Sequence, residues 1–307
     1  MHSKQSYSGI IVGVDGSHLS KTAVRWAALE AVMRNIPLTL VHVIFAQPWG
    51  PTLLGQSAAP VVEPNQHEQE VGRKIIADAI RFVEDSGDAG DLPQIASEVL
   101  VGPPVQILVN LSKKAELVVV GCRGQGMLDR ILLGSVSTGL VHHAHCPVAV
   151  IHGDALLSPR LSTLPVVVGI DGSPASEMAT AIAFDEASWR GVELVALHVW
   201  RDADEFPIGS AEWSAQQAEA VEALAERLAG WQERYPDVSV HRRIVSGNPA
   251  RHLIEASESS QLVVVGNRGR GGLQGMLMGS VSTAVVHAAR SPVIVVRLHR
   301  MESTRGR

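Results

Sequence analysis

The chain of 307 residues holds only two cysteines, too few for a disulfide framework of the kind that staples small secreted domains. Aromatic residues make up 4% of it, which argues against a platform for stacking single-stranded nucleic acid. A basic surplus is also missing. The 26 Lys and Arg face 31 Asp and Glu, a net charge of -5, which excludes the broad cationic surface needed for non-specific nucleic-acid binding or for anchoring to an acidic membrane. No apolar run approaches the roughly 18 residues of a membrane-spanning helix; the longest are short stretches such as Leu117–Val120. Met1–Ser8 is polar and carries no apolar signal region. These absences lead to the expectation of a cytoplasmic protein with a small-molecule partner, no nucleic acid and no membrane insertion.

What is present is aliphatic. Apolar residues reach 46% with so few aromatics that the core must be Val, Ala, Leu and Ile, the composition of a buried parallel sheet flanked by small-residue helices. The length suits two domains of ordinary size, and the sequence repeats itself. Ile10–Ile44 laid on Val166–Trp200, a shift of 156, gives 14 identities in 35 positions. Gly102–Val150 laid on Gly247–Val295, a shift of 145, gives 25 in 49. The difference of 11 residues falls in the Pro- and Gly-containing segment Gln47–Pro64, expected to be a surface excursion. His152–Leu164 reads as a linker, so the expected domains are 1–152 and 164–298.

Each half alternates strand and helix signals. Ile10–Val14 and Val166–Ile170 are first strands ended by Asp-Gly-Ser, a turn and helix-start signal; Leu38–Ile44 and Leu194–Trp200 are second strands. Amphipathic helices follow, with Val71, Ile75, Ala79 and Val83 on one stripe and Val221, Leu224, Leu228 and Trp231 on the other. Ile95–Val101 and Val238–Val245 are third strands, and helices begin near Pro104 and Pro249. Leu117–Val120, Leu262–Val265, Pro147–Ile151 and Pro292–Val296 complete the set. Five strands interleaved with four helices predict an α/β fold of two tandem five-stranded, doubly wound parallel sheets, with ligands at the carboxyl ends of the strands.

The most informative motif follows the fourth strand. Gly121-Cys-Arg-Gly124, nine residues, then Gly134-Ser135 is matched by Gly266-Asn-Arg-Gly269, nine residues, then Gly279-Ser280. Glycines let backbone N–H groups approach an anion, and a Gly-Ser pair at a helix start adds free N–H groups, the dipole and a hydroxyl. Arg123, Arg130, Arg268 and Arg270 stand in the same loops, available to phosphate. One such loop is as easily a flexible connection; two at identical spacing, each between a buried strand and a helix, are not. No Gly-Lys-Ser/Thr occurs, so there is no P-loop, and Gly13-Val-Asp15-Gly16-Ser17 lacks the dinucleotide glycine pattern.

Asp-Gly-Ser after the first strand, His-Val at the end of the second and Gly-x2-Gly-x9-Gly-Ser after the fourth resemble the universal stress protein family in its ATP-binding branch. The likeness covers nearly the full length of both halves, in the tandem arrangement of actinobacteria including mycobacteria. It implies one ATP per half, two per chain, with Mg²⁺ arriving on the nucleotide. By this resemblance Asp15 lies against the nucleotide, Val43 presents its backbone to the adenine, and Val120, Gly121, Gly124, Gly134, Ser135 and Val136 cradle ribose and phosphates. The second-half equivalents are Asp171, Val199, Val265, Gly266, Gly269, Gly279, Ser280 and Val281. Arg123 and Arg268 are further candidates, as are the strand-end glycines Gly13, Gly102, Gly169 and Gly247. The implied role is a nucleotide-dependent regulatory module in stress response, dormancy or growth control. A slow ATPase or a nucleotidyl or phosphoryl transferase on the same sites is the alternative, but no catalytic base is visible. The resemblance implies that the two halves pair through the apolar last strands as an internal pseudo-dimer, a homodimer of chains through sheet edges is expected, and the downstream protein partner is not encoded in any motif.

Other residues carry less. Asp15 and Asp171 also suit helix caps or turns. His142, His143, His145 and Cys146 look like metal ligands, but their repeat partners are His287, Ala288, Arg290 and Ser291, so no metal site is expected. His42 and His198 recur at strand ends, where a histidine more often satisfies backbone than performs catalysis. Cys122 falls inside the phosphate loop with Asn267 as its partner, and reads as a small tolerated residue rather than a redox sensor.

Overall fold

The computed structural model describes residues 9–45, 64–86, 92–124, 133–153, 163–200, 211–270 and 277–297, with the backbone alone for 211–216. The excursion at 47–64 except Pro64, Arg130 and most of the linker therefore lie outside the described residues. Two compact units divide the chain, Met1–Ala144 and His145–Arg307.

The first unit runs β1 (Ile10–Gly13), α1 (His18–Arg34), β2 (Leu38–Ile44), α2 (Gln66–Ser86), β3 (Ile95–Val101), α3 (Pro104–Leu111), β4 (Leu117–Gly121) and α4 (Ser135–His143). Its strands are ordered β3-β2-β1-β4 and all pair in parallel. The second unit begins with β5 (Val148–Ile151). It continues with β6 (Val166–Gly169), α5 (Pro174–Arg190), β7 (Leu194–Trp200), α6 (Ala211–Arg234), β8 (Val240–Ser246), α7 (Pro249–Ser257), β9 (Leu262–Gly266), α8 (Ser280–Ala288) and β10 (Val293–Val296). Here the order is β5-β10-β9-β6-β7-β8, parallel except that β5 runs antiparallel to β10. Val148–Val150 cover Val293–Val295, so the apolar edge of β10 is already occupied within this unit.

The local chemistry explains these elements. The β-branched runs of β4 and β9 are almost wholly buried because helices cover both faces of a parallel sheet. Ser17 and Ser173 start α1 and α5 by accepting the N–H of Ser20 and Ser176; Asn35 and Gly191, both left-handed, end them. Ala23, Ala27 and Ala31 on α1, and Ala179, Ala183 and Ala187 on α5, are fully buried, so these helices settle closely onto the sheet. Each also buries a glutamate at the same repeat position: Arg34 Nε donates to Glu30 Oε1 at 2.7 Å, and Arg190 Nη2 forms an ion pair with Glu186 Oε2 at 2.9 Å.

The amphipathic stripes differ from expectation. On α2 the buried residues are Gly72, Ile76, Ala79 and Val83, while Val71 is exposed. Strict four-residue spacing drifts about 40° per step around a helix, so a row begun at Val71 has left the buried face. On α6 Ala220, Leu224 and Leu228 are buried and Val221 is exposed. Trp231 stays half-buried and stacks on Phe184 with ring centroids 5.8 Å apart.

Candidate functional site

In the second unit the strand order reverses between β6 and β9, and a crevice opens at their carboxyl ends. It is a cavity of about 1330 Å³. Gly169, Asp171, Val199, Gly247, Val265, Gly266, Arg268, Gly269, Gly279, Ser280 and Val281 all line it, together with Arg270. The wall has two characters. Leu197, Ala220, Leu224 and Leu253 supply apolar lining, and Arg227, Arg268 and Arg270 line it as well, with the glycine loop and the first turn of α8.

The floor is built by the turn after β6. Asp171 Oδ1 accepts the N–H of Ser173 at 2.9 Å and Oδ2 accepts the N–H of Arg270 at 3.0 Å. A Cβ on Gly269 would overlap Asp171 Oδ2, so this glycine is what allows the carboxylate to lie against the loop backbone. Burial raises the Asp171 pKa, but hydrogen bonds from Ser173, Ser176 and Arg270 outweigh it and hold the carboxyl below its ordinary value. The aspartate is thus a fixed negative charge and a turn residue; the capping role belongs to Ser173. Gly266 serves packing, because a Cβ there would stand 2.8 Å from the Ala175 backbone at the start of α5.

The helix start is arranged differently. Gly279 N–H donates to Asn267 O at 2.8 Å and closes the loop. Gly279 also occupies the N-cap of α8 with no side-chain hydrogen bond, unlike Ser173 on α5 or Asn248 on α7. The opening turn Ser280-Val281-Ser282 therefore meets the cavity without a side-chain cap. Beside it the Arg268 Nε is buried without a hydrogen-bond partner. Burial and then the neighbouring Arg268 charge pull the Arg297 guanidinium below its usual range. An uncapped helix start and an unsatisfied guanidinium N–H next to a like charge are what an anion would satisfy.

The first unit repeats this chemistry. Gly13 ends β1 and Val120 and Gly121 end β4; a Cβ on Gly13 would meet Val120 at 3.3 Å, and one on Gly121 would meet Leu19. Asp15 Oδ1 accepts the N–H of Ser17 at 2.9 Å, and a Cβ on Gly124 would overlap Asp15 Oδ2. Gly134 N–H donates to Cys122 O at 2.8 Å and caps α4 without a side chain, leaving Ser135 and Val136 as the first turn. Gly134 lies 3.5 Å, measured from its would-be Cβ, from Arg123 Cα. Val43 pairs with Leu100 near the end of β2, and Gly102 follows β3.

The histidines do what strand-end histidines usually do. His42 Nδ1 donates to Val14 O and His198 Nδ1 to Ile170 O, each at 2.7 Å, so both rings serve the strand-end backbone. Cys122 and Cys146 are buried and unbridged. His142 and His143 lie with ring centroids 6.2 Å apart. Among the described residues no group of three His, Cys, Asp or Glu is placed to hold a metal.

A family model, that of the universal stress protein family, matches residues 6–152 and again 163–297. The chain belongs to the universal stress protein family. Among mycobacterial members, universal stress proteins Rv2005c and Rv2623 of Mycobacterium tuberculosis are each 51% identical to it, over 97% of this chain and 99% of theirs. A universal stress protein of Mycolicibacterium smegmatis is 48% identical over 94% and 97%. Of solved structures, a universal stress protein from Archaeoglobus fulgidus superposes with a TM-score of 0.69 at 21% identity, covering 95% of this chain and 99% of that one, which shows the shared fold. No described helix is long and apolar enough to cross a membrane.

For a universal stress protein read by its glycine motif, the missed positions are on the helices. Arg227, Leu224 and Ala220 of α6 and Leu253 of α7 line the cavity, yet no motif marks them. Ser176 was missed as well, though the repeat offered a signal in Ser20 at the matching position; both hydroxyls bond back into the first turn, at 3.0 and 2.9 Å.

Proposed function

We propose that this universal stress protein binds one adenine nucleotide, ATP, in each half and acts as a nucleotide-dependent regulatory module in stress response, dormancy or growth control. The observation that carries the reading is the second-unit cavity, whose lining combines apolar side chains with an uncapped helix start, a glycine-spaced loop and three arginines. That combination fits a ligand with a flat apolar body and a polyanionic tail. Val199 and the apolar wall would take the base; Gly269, Ser280, Val281 and Arg268 would take the phosphates. The first unit offers the same turn, loop and helix start around Asp15, Gly124 and Ser135. Mg²⁺ would come with the triphosphate, because the described residues supply no carboxylate cluster for it. Bound ATP would offset charge on these loops and favour whichever conformation or partner complex holds it more tightly.

The test is isothermal titration of the full chain and of variants. ATP should bind at about two sites per chain, and Gly124→Val and Gly269→Val should each remove one, because valine would push the aspartate carboxylate off the loop. Retained two-site binding in both variants would overturn the assignment. Chains are also proposed to associate as homodimers; light scattering should give about twice 32.7 kDa, and a monomer mass with and without ATP would refute that.

A further inference from the structure

One arginine on α6 stands at the rim of the second-unit cavity with no equivalent in the first half. Arg227 and Arg270 place their guanidinium atoms over Gly172, in the space a side chain there would take, and Gly172 sits at φ 75. The two cations thus converge on the turn that carries Asp171, and both line the cavity. Arg227 Nη1 donates to Glu177 Oε1 at 2.7 Å, with side-chain exposures of 32% and 42%. A pair this open to water is weak, so the guanidinium can leave Glu177 at little cost. The repeat shift of 145 puts Phe82 at the position of Arg227 and Gln125 at that of Arg270; the shift of 156 puts Lys21 at that of Glu177. The first half cannot form the same pair. Glu219, which also lines the second cavity, corresponds to Lys74, so the halves differ in the arrangement of charge rather than simply in its amount.

We propose that Arg227 is a specificity-determining residue of the second site, moving from Glu177 onto the terminal phosphates of a nucleoside triphosphate and making that site discriminate triphosphate from monophosphate. A guanidinium fork suits this better than an ammonium, since it presents paired donors to phosphate oxygens. The proposal rests on the adenine-nucleotide reading above.

The experiment titrates the full chain with ATP and with AMP, in wild type, Arg227→Ala, Arg227→Lys and Glu177→Gln. Arg227→Ala should weaken ATP at one of the two sites by about tenfold or more, with AMP changed less than about twofold. Arg227→Lys should fall between, and Glu177→Gln should tighten ATP at that site by freeing the arginine. Thermal melting checks that each variant folds; if the alanine variant does not, the lysine and Glu177 variants decide. Unchanged ATP affinity in the variants, or equal losses for ATP and AMP, overturns the role of Arg227 while leaving nucleotide binding in place. A wild-type chain that binds neither nucleotide overturns both.

Discussion

Asp171 and Gly269 act together, and neither makes sense alone. The glycine lacks a Cβ where the carboxylate must lie, and the carboxylate ties the loop to the turn after β6 through the N–H groups of Ser173 and Arg270. Its folded pKa is lowered, so the charged form contributes stability above the ordinary value of 3.8, and the contribution is lost as pH falls through the folded pKa. The gap in urea stability between wild type and Asp171→Asn should therefore be full at pH 7 and shrink in strong acid. A gap independent of pH would show that the charge is not what matters. The motif glycines were legible in the sequence as a spaced set between a strand end and a helix start, but their division of labour was not. Gly269 admits a side chain, Gly266 admits a helix and Gly279 opens one, and spacing alone does not say which neighbour each glycine faces.

At the scale of elements, the repeat located the strands well because short β-branched runs between turn signals have few alternatives. Helix faces were harder to place. A four-residue ladder such as Val71, Ile75, Ala79 and Val83 looks amphipathic in sequence but winds off the buried face, and Gly72 takes the inner position, where a Cβ would meet His42 at 2.9 Å. The buried glutamates of α1 and α5 left no apolar signal either. Because Glu186 is fully buried against Arg190, Arg190→Ala should destabilise the second unit by about 3–5 kcal/mol, read as a lowered urea midpoint. A cost below about 1 kcal/mol would mean the pair is effectively solvated. Gly266→Ala tests the helix–strand contact: its Cβ would press on the Ala175 backbone, and overpacking of this kind costs about 1–3 kcal/mol. Unchanged stability would show that α5 can shift freely.

For the whole molecule, duplication explains why so much could be read from one chain: each motif is present twice, and the second copy tests the first. It also shows where the copies have diverged. Phe82 stands against Arg227 and Cys122 against Asn267 in the repeat, so the two halves share the glycine spacing and differ in residues that flank it. The α6 wall of the cavity escaped the sequence reading because residues such as Arg227 gain a role only when the helix is laid across the strand ends. The central claim is that both halves hold ATP, and native mass spectrometry of freshly purified protein tests it most directly. The account predicts a chain carrying two adenine nucleotides, or taking up two when ATP is added, with intact ATP in the released ligand. A chain that stays at its bare mass in the presence of excess ATP would contradict it.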